Sequence, residues 1–365
     1  MGLFDRLSAH GYEQVVHCHD TATGLRAIIA IHSTVLGPAL GGTRFYPFAT
    51  DDEALTDVLR LARAMSYKAA VAGLALGGGK AVIIGDPHHQ RTDALIESYA
   101  RFVDSLGGRY VTAEDVGTTQ ADMDLVATIT PHVSGTSTGS GDPSPATALG
   151  VVAAMRAVAR HRFGDPDLGG RHVCVSGVGK VGAAVVDHLV AAGAKITVAD
   201  VYAPAIDAVV GRHPDVDVVD PGGAHAVACD IFSPCALGAV LRSGTIGEMQ
   251  CDAVCGSANN QLATDADADR LRAAGITYAP DYVVNAGGLI NIFEELDPDG
   301  YDPERAAARV DTIEGTTSRV LATATEHGIT TAAAADHLAE VRIAQHSANH
   351  VIRRFDTPPT STAPT

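Results

Sequence analysis

The stretch RHVCVSGVGKVGAAVVDHLVAAGAKITVAD, residues 171–200, contains an apolar run, a cluster of glycines, a helical pattern and a second apolar run. HVCVS and ITVAD have the composition of short buried strands, and VGAAVVDHLVAAG has the apolar spacing of a helix. This order predicts strand, helix and parallel strand, the repeating unit of a doubly wound sheet. Working outward, the runs VDVVD, CDIF, CDAVCG and ITYAP predict further strands of the same α/β domain.

The glycines of this stretch form the pattern G-x-G-x-x-G directly after a strand and at the start of a helix. In that setting the first glycine permits a tight turn, the second lets a pyrophosphate approach the backbone, and the third packs the helix on the strand. An acid at the end of ITVAD can bond both ribose hydroxyls and would repel a 2′-phosphate, which favours NAD over NADP, although the lysine in the motif could weaken this preference. A tight turn without a cofactor is the alternative. The predicted contacts are Gly177, Gly179, Lys180, Val181, Gly182 and Asp200.

Length and charge limit the possible classes of protein. A chain of 365 residues is expected to form two domains that share a cleft. A formal net charge of −17 and the absence of tryptophan argue against a nucleic-acid partner. The N-terminal residues MGLFDRLSAHGYEQ lack an apolar signal region, and no run of eighteen apolar residues occurs, so we expect a cytoplasmic protein without a membrane partner.

The first half of the chain predicts a second α/β domain. EQVVHCHD, LRAIIAIHS, AVIIG and RYVTA read as strands, and residues 132–147 are dense in Gly, Ser, Thr and Pro, as in a hinge. We therefore predict an N-terminal substrate domain with a mixed sheet over residues 1–140 and a Rossmann-type nucleotide domain over 141–324. C-terminal helices at about 325–353 are expected to complete the first domain, and 354–365 to be a disordered tail. A long helix is expected to start near Asn285.

Two lysines and an acid are the candidate chemical groups of the first domain. Lys68 continues an apolar helical stripe and should point inward, whereas Lys80 follows three glycines and precedes AVIIG. The spacing around Lys80 does not fit a phosphate-binding loop, and Lys80 and Asp115 are both expected at strand ends. Burial beside a second cation lowers a lysine pKa, which would make one lysine a base and leave the other to hold a carboxylate. Surface lysines with buried stems are the alternative.

Two clusters of potential metal ligands have patterns that favour structural roles. His17, Cys18, His19 and Asp20 are adjacent, but residues of a strand alternate between its faces, which favours a solvated edge. Cys251 and Cys255 fall in an apolar run, which favours a buried strand. No metal site is predicted.

Eight blocks of this sequence resemble the signature segments of the Glu/Leu/Phe/Val amino-acid dehydrogenase family. They occur in the family's order over nearly the whole chain and are most similar to those of valine and leucine dehydrogenases. A homo-oligomer is expected, with an open number of subunits. The blocks are GPALGGTR (37–44), MSYKAA (65–70), GLALGGGKAVI (73–83), TAEDVGT (112–118), GDPSPATALGV (141–151), GVGKVG (177–182), GSANNQL (256–262) and PDYVVNAGGLIN (280–291).

The resemblance implies a role for each matching residue. Lys68 would bind the α-carboxylate of an amino acid, Lys80 would activate water, and Asp115 would exchange a proton with the amino group. Hydride would pass between the α-carbon and NAD, and the resulting iminium would be hydrolysed to a 2-oxo acid and ammonia. The glycines before Lys80 are expected to let the backbone approach the substrate. Gly41 and Gly42 would lie beside the substrate, and Thr147, Asn260 and Asn285 beside the cofactor.

The resemblance also implies an apolar side-chain pocket formed by Leu40, Ala113, Leu289 and Ile292. Glutamate-specific relatives place a lysine and a serine at the positions of Leu40 and Ile292, so a buried γ-carboxylate would here lack partners and cost several kcal/mol. Valine is expected first, then leucine and isoleucine. Phenylalanine as substrate, a non-catalytic NAD-binding regulator, and ordinary core packing of the four residues are the alternatives.

Overall fold

Two β-sheets organise residues 2–347, the part of the chain that the computed structural model describes. One structural unit comprises residues 2–141, Ile292–Asp302 and 339–347, and the other comprises Asp142–Asn291 and Pro303–Leu338. The first boundary lies inside the Gly/Ser-rich segment 132–147. Near its C-terminal end the chain rejoins the first unit at Ala339, and not near residue 325 as expected from the sequence. Residues 348–353 of the expected helix and the expected tail 354–365 lie outside the described residues.

The first unit contains a mixed five-stranded sheet of order β1-β2-β4-β3-β5. β1 and β4 pair antiparallel with β2, while β3 runs parallel to both β4 and β5. The elements are α1 Leu3–His10, β1 Gln14–Asp20, β2 Leu25–Ser33, β3 Ala39–Tyr46, α2 Asp51–Val71, β4 Gly77–Ile84, α3 Pro87–Gln90, α4 Asp93–Ser105, β5 Tyr110–Glu114 and α5 Gln120–Ala127.

Each face of this sheet is covered by helices. α2 packs on one face, where Val58 and Ala62 meet Ile28 and Val82. α4 and α5 cover the opposite face, whose core includes Ile29, Ile83 and Tyr99. Both cores follow from the period of two along each strand, which sends neighbouring residues to opposite faces.

The three glycines before Lys80 belong to strand β4, which contradicts the expectation that Lys80 lies at a strand end. Lys80 lies in the middle of β4 and not at its end. A Cβ on Gly78 would lie 2.6 Å from the carbonyl oxygen of Ala62 and would overlap the backbone of Ser66, both in α2. A Cβ on Gly79 would lie 2.7 Å from the ring of Tyr110. The glycines therefore permit close packing of helix and strand on β4, a role that needs no substrate.

The second unit contains a parallel six-stranded sheet of order β11-β10-β9-β6-β7-β8. Numbered from β6, this is the order 3-2-1-4-5-6 of a doubly wound nucleotide-binding sheet, which confirms the predicted fold. The elements are α6 Ser144–Phe163, β6 His172–Ser176, α7 Lys180–Ala191, β7 Lys195–Ala199, α8 Ala203–Arg212, β8 Asp217–Val218, β9 Cys229–Pro234, α9 Ser243–Glu248, β10 Cys251–Val254, α10 Ala266–Ala273, β11 Thr277–Tyr278, α11 Asp281–Val284, α12 Gly287–Phe293, α13 Pro303–His327 and α14 Thr331–Ser347, with a short 3-10 turn at Pro221–Ala226. The ends of α12 and α14 and the 3-10 turn Glu294–Leu296 belong to the first unit.

The long helix expected from Asn285 is not formed. The chain makes the short helix α11, leaves the helical path at Asn285, and resumes as α12 only as far as Phe293. One cause is visible: the Asn285 side chain bonds the neighbouring loop at the point where α11 ends.

His32 is a buried histidine whose protonation opposes folding. Its Nε2 lies 3.0 Å from the carbonyl oxygen of His10, which can only accept, so Nε2 carries the proton. Nδ1, 2.8 Å from Oγ of Ser66, then accepts from that hydroxyl. Burial lowers the pKa of His32 from 6.5 to about 4.

We expect the free energy of unfolding to fall as the pH falls from 6.5 to about 4, because in this window the unfolded chain binds a proton at His32 that the folded chain does not. The contribution of His32 is at most about 3 kcal/mol. Urea denaturation at several pH values measures it, with His32→Gln as the matched variant that can still hydrogen-bond. Equal pH dependence of the two proteins would show that His32 does not carry this effect.

Candidate active site

Strand β3 lies between β4 and β5 and sets the register of the first site. Gly42 is paired with Ala113 of β5, and Leu40 with Gly78 of β4, so Lys80 falls opposite Gly42. Because side chains alternate, Leu40, Ala113 and Lys80 all face the side of the sheet that α2 covers. The sheet thus gathers residues that are far apart in sequence on one face.

Lys80 and Asp115 form an ion pair on this face. Nζ of Lys80 lies 2.7 Å from Oδ2 of Asp115, and Lys80 is only 7% exposed. Asp115 directly follows β5, as expected from the sequence. Burial raises the pKa of Asp115, but Lys80 and then Arg44 lower it by more, so that its pKa lies below the usual 3.8. Asp115 is therefore a carboxylate at neutral pH.

Gly42 provides the space in which Asp115 lies. A Cβ on Gly42 would lie 2.9 Å from Cβ of Asp115 and would overlap the carbonyl oxygen of Glu114. The Asp115 side chain therefore passes over Gly42 to reach Lys80. The carbonyl of Gly41 accepts a hydrogen bond from the hydroxyl of Tyr110 at 2.6 Å, which fixes the backbone beside Gly42.

Thr118 holds the turn that carries Asp115, and the sequence reasoning did not single it out. The N–H of Asp115 donates to Oγ1 of Thr118 at 3.0 Å, and the Thr118 hydroxyl lies 2.9 Å from the carbonyl oxygen of Thr43 in β3. The turn is thereby tied to the neighbouring strand. Its signal in the sequence was the block TAEDVGT, in which Thr118 is the last residue.

Lys68 is half-buried on α2. It lies about three turns after Asp57, whose carboxylate accepts from Arg44 of β3 at 2.7 Å, so Lys68 is on nearly the same side of the helix as a residue that contacts the sheet. Its inward direction, expected from the apolar stripe, agrees with this placement. Leu40 and Ala113 are both buried.

The second candidate site is the glycine turn between β6 and α7. Gly177 has φ +100°, and a Cβ there would lie 2.6 Å from Ala236, while a Cβ on Gly182 would overlap the carbonyl of Gly177. Among the described residues no atom lies within 4 Å of a Cβ built on Gly179. The first and third glycines therefore serve turn and packing, and the second leaves open space at the helix start, as a pyrophosphate requires.

Asp200 follows β7 and lies beside this turn. Its Oδ2 accepts from the N–H of Val178 at 2.7 Å, and its Oδ1 accepts from the N–H of Tyr202 at 2.8 Å. The carboxylate is thus fixed next to the glycines, with acceptor capacity left for hydroxyl groups. Nζ of the exposed Lys180 lies 3.2 Å from Oδ2 of Asp142, and Val181 is half-buried.

A third group of predicted residues lies on the loop Gly256–Leu262 and around it. Nδ2 of the buried Asn285 donates to the carbonyl of Ser257 at 3.0 Å and to Oδ1 of Asn259 at 2.7 Å. Asn260 has φ +52°, a conformation that asparagine tolerates better than most residues. Gln261, which the sequence reasoning missed, is buried and donates from Nε2 to two carbonyls of the loop.

The remaining predicted residues lie on two helices. Oγ1 of Thr147, in the first turn of α6, donates to the carbonyl of Pro143 at 2.9 Å. Leu289 is buried and Ile292 half-buried, three residues apart on α12. The two side chains therefore share one side of that helix.

Within residues 2–347 no group of three or more His, Cys, Asp and Glu side chains is arranged to hold a metal ion. Cys18 of β1 is buried in the core, as are Cys251 and Cys255 at β10. Burial raises the pKa of the Cys251 thiol to about 11, so this sulfur is protonated at neutral pH. In the same part of the chain, none of the helices combines the length and the apolar character that crossing a bilayer requires.

The doubly wound sheet with its open glycine turn is typical of dinucleotide-binding proteins, and here it is joined to a second α/β unit that carries the Lys80–Asp115 ion pair. Residues 12–132 match the model of the Glu/Leu/Phe/Val dehydrogenase dimerisation domain, and residues 138–209 and 205–350 match that of the glutamate/leucine/phenylalanine/valine dehydrogenases. The chain belongs to the Glu/Leu/Phe/Val amino-acid dehydrogenase family.

Similar proteins include both kinds of enzyme that the sequence blocks resemble, valine and leucine dehydrogenases. The valine dehydrogenase of Streptomyces coelicolor is 52% identical over 340 residues, 92% of this chain and 93% of the relative. The leucine dehydrogenase of Bacillus cereus is 47% identical over 345 residues, 94% of this chain and 93% of the relative. The crystal structure of L-tryptophan dehydrogenase from Nostoc punctiforme has a TM-score of 0.86 at 41% identity and covers 95% of this chain and 100% of that chain.

Proposed function

We propose that this protein catalyses the reversible NAD-dependent oxidative deamination of a branched-chain aliphatic L-amino acid to the 2-oxo acid, ammonia and NADH. Valine is the first substrate, followed by leucine and isoleucine. The observation that carries the proposal is the ion pair of the buried Lys80 with the half-buried Asp115, on the same sheet face as apolar Leu40 and Ala113. The similarity to valine and leucine dehydrogenases supports it independently.

In this proposal the two lysines and the carboxylate divide the chemistry. Lys68 holds the substrate α-carboxylate, and Lys80 takes a proton from the water that attacks the imino carbon. Asp115 exchanges a proton with the amino group, and the 2.7 Å separation allows a proton to pass between Nζ of Lys80 and Oδ2 of Asp115. When bound, a nicotinamide dinucleotide supplies the hydride acceptor and, in the reverse direction, the hydride donor.

The substrate preference follows from the apolar residues assigned to the pocket. Leu40, Ala113, Leu289 and Ile292 offer no partner to a γ-carboxylate, whose burial would cost several kcal/mol, so glutamate is rejected. One methylene changes specificity by only about 1 to 3 kcal/mol, so valine, leucine and isoleucine should all react, at different rates.

The choice of NAD over NADP rests on Asp200, because its carboxylate is fixed beside the open glycine turn. The motif residues Gly177 to Gly182 would hold the pyrophosphate, and Thr147, Asn260 and Asn285 would lie at the nicotinamide end.

We expect Asp200→Asn, which removes the charge and keeps a hydrogen-bonding group, to raise kcat/KM for NADP relative to NAD by about tenfold or more. Asp142→Asn, which frees Lys180, is the companion variant for any contribution of that cation. An unchanged NADP/NAD ratio in Asp200→Asn would remove this residue from cofactor selection.

The proposed reaction is tested by NADH formation at alkaline pH with valine, leucine, isoleucine, phenylalanine and glutamate in turn. Branched-chain turnover with no activity on glutamate supports the proposal. Turnover led by phenylalanine would assign the protein to a different branch of the family. A folded, NAD-binding protein that oxidises none of these amino acids would instead be a regulator.

We further propose that the protein acts in the cytoplasm as a homo-oligomer. The match of residues 12–132 to a dimerisation domain supports assembly between copies. Light scattering on the purified protein measures the number of subunits, and a monomeric mass would contradict this part of the proposal.

A further inference from the structure

Arg44 lies on the same face of the sheet as the Lys80–Asp115 ion pair. It follows Leu40 and Gly42 at the spacing of two along β3, so its side chain is directed toward α2. There Nη1 donates to Oδ2 of Asp57 at 2.7 Å, a contact between β3 and α2. The guanidinium is half-buried and is held at one end by the helix.

The other side of this guanidinium faces Asp115. Nε of Arg44 lies 3.4 Å from Oδ2 of Asp115, the same oxygen that lies 2.7 Å from Nζ of Lys80. One carboxylate oxygen is thus flanked by two cations from neighbouring strands. The positive charge of Lys80 alone would balance the negative charge of Asp115. The second cation therefore adds a further contact that can fix the position of the carboxylate.

We propose that Arg44 is a positioning residue for the reaction: anchored by Asp57, it holds Asp115 in its ionised form at the place where it meets Lys80. This inference rests on the proposed function for its kinetic consequences, and on the geometry of the first unit alone for its structural part. Arg44 acts through Asp115 and is assigned no contact with substrate or cofactor.

Several charged and titratable side chains surround Asp115 and influence the pH at which its carboxylate is protonated. Lys80 approaches it from β4 and Arg44 from β3, with Asp57 and Arg60 of α2 behind Arg44, where Nη2 of Arg60 lies 3.0 Å from Oδ1 of Asp57. Burial raises the pKa of the Tyr110 phenol on β5, and the negative charge of the nearby Asp115 also raises it. Removal of the Arg44 cation should therefore ease protonation of Asp115.

The surface beside Arg44 makes substitution practicable. An open cavity of about 620 Å³ is lined by Arg44, Asp57, Arg60 and Val116, among others, so a methionine at position 44 has room. Arg60→Met is the matched control, because Arg60 shares Asp57 with Arg44 and is largely exposed. Arg44→Lys is the conservative variant that keeps the charge.

In Arg44→Met we expect kcat with valine and NAD to fall about 10- to 100-fold, as for a misplaced catalytic group, while the KM for valine stays within about twofold. The acid limb of the kcat/KM profile should move to higher pH, Arg44→Lys should recover part of the loss, and Arg60→Met should behave as the parent protein. If Arg44→Met fails to fold, Asp57→Asn, which releases the anchor of Arg44 and keeps its charge, should lower kcat by a smaller factor without moving the acid limb to higher pH.

A measurement without turnover separates this inference from the proposed reaction. The titration of the Asp115 carboxylate is followed by carbon NMR in the protein without substrate, assigned with Asp115→Asn, and should move to higher pH in Arg44→Met. An unchanged titration and an unchanged kcat would overturn the inference, and so would a raised KM at constant kcat, which would indicate a substrate contact. If the parent protein oxidised no amino acid, the reaction assignment would fail while the titration still decided the role of Arg44.

Discussion

Replacement of Lys80 by methionine is expected to lower kcat with valine and NAD by at least about 10³-fold, the size of a general acid–base contribution. Methionine has nearly the length of lysine and suits a side chain that is 7% exposed in a packed sheet, so the fold should persist. The loss has a local cause, because the only change is removal of the ammonium that lies 2.7 Å from Asp115. Steady-state NADH formation measures it.

The matched control for this variant is a second lysine of the same chain. Lys195→Met, at the exposed start of β7, removes an equal charge in the second structural unit and should leave kcat unchanged. NADH binding, followed by the fluorescence of the reduced nicotinamide, should be equal in all three proteins. Turnover by Lys80→Met within tenfold of the parent protein would show that Lys80 is not the base.

The largest effect on stability is expected from Gly78→Ala. The added methyl group would lie 2.6 Å from the carbonyl oxygen of Ala62 and overlap the backbone of Ser66, so β4 could not keep its distance from α2. Because backbone atoms cannot rotate away as a side-chain end can, we expect the free energy of unfolding to fall by at least about 3 kcal/mol. Urea denaturation measures the change.

Gly315→Ala provides a control of opposite sign. Gly315 lies inside α13, and among the described residues nothing comes within 4 Å of a Cβ built there. Alanine should therefore stabilise the helix by about 0.5 to 1 kcal/mol. Equal stability of Gly78→Ala and the parent protein would contradict the close packing of α2 on β4.

The second structural unit was predictable because its signals are local. The glycine turn and the flanking strands lie within residues 171–200, and the structure confirms the strand, helix and strand in that order. The position of Asp200 directly after β7 was sufficient to predict that this residue lies beside the glycine turn. Local patterns of this kind depend on neighbouring residues, which a sequence displays directly.

The first structural unit was less predictable because its central strand β3 was missed. β3 has the sequence ALGGTRFY, and two central glycines without side chains give it little strand propensity. Its place between β4 and β5 is what brings Lys80 opposite Gly42 and leaves room for Asp115. Order and register in a sheet depend on contacts between distant residues, and a single sequence does not display them.

The same limitation explains the error about Lys80 and the omission of Arg44. With glycines taken as a loop, Lys80 fell at a strand end, and the packing of α2 that keeps Gly78 small could not be seen. Arg44 lies in the block GPALGGTR, but its contacts with Asp57 and Asp115 become visible only when β3 is a strand. The sequence therefore indicated the chemical groups, and the fold indicates how they are held.

The central claim, that Lys80 and Asp115 act as one catalytic pair, is tested most directly by a double-mutant cycle. NADH formation from valine is measured for the parent protein, Lys80→Met, Asp115→Asn and the double variant. Residues that act as a unit give non-additive losses, so we predict that each single variant is strongly impaired and that the double variant is no slower than the slower single one. Losses that multiply in the double variant, or normal turnover by Asp115→Asn, would contradict the account.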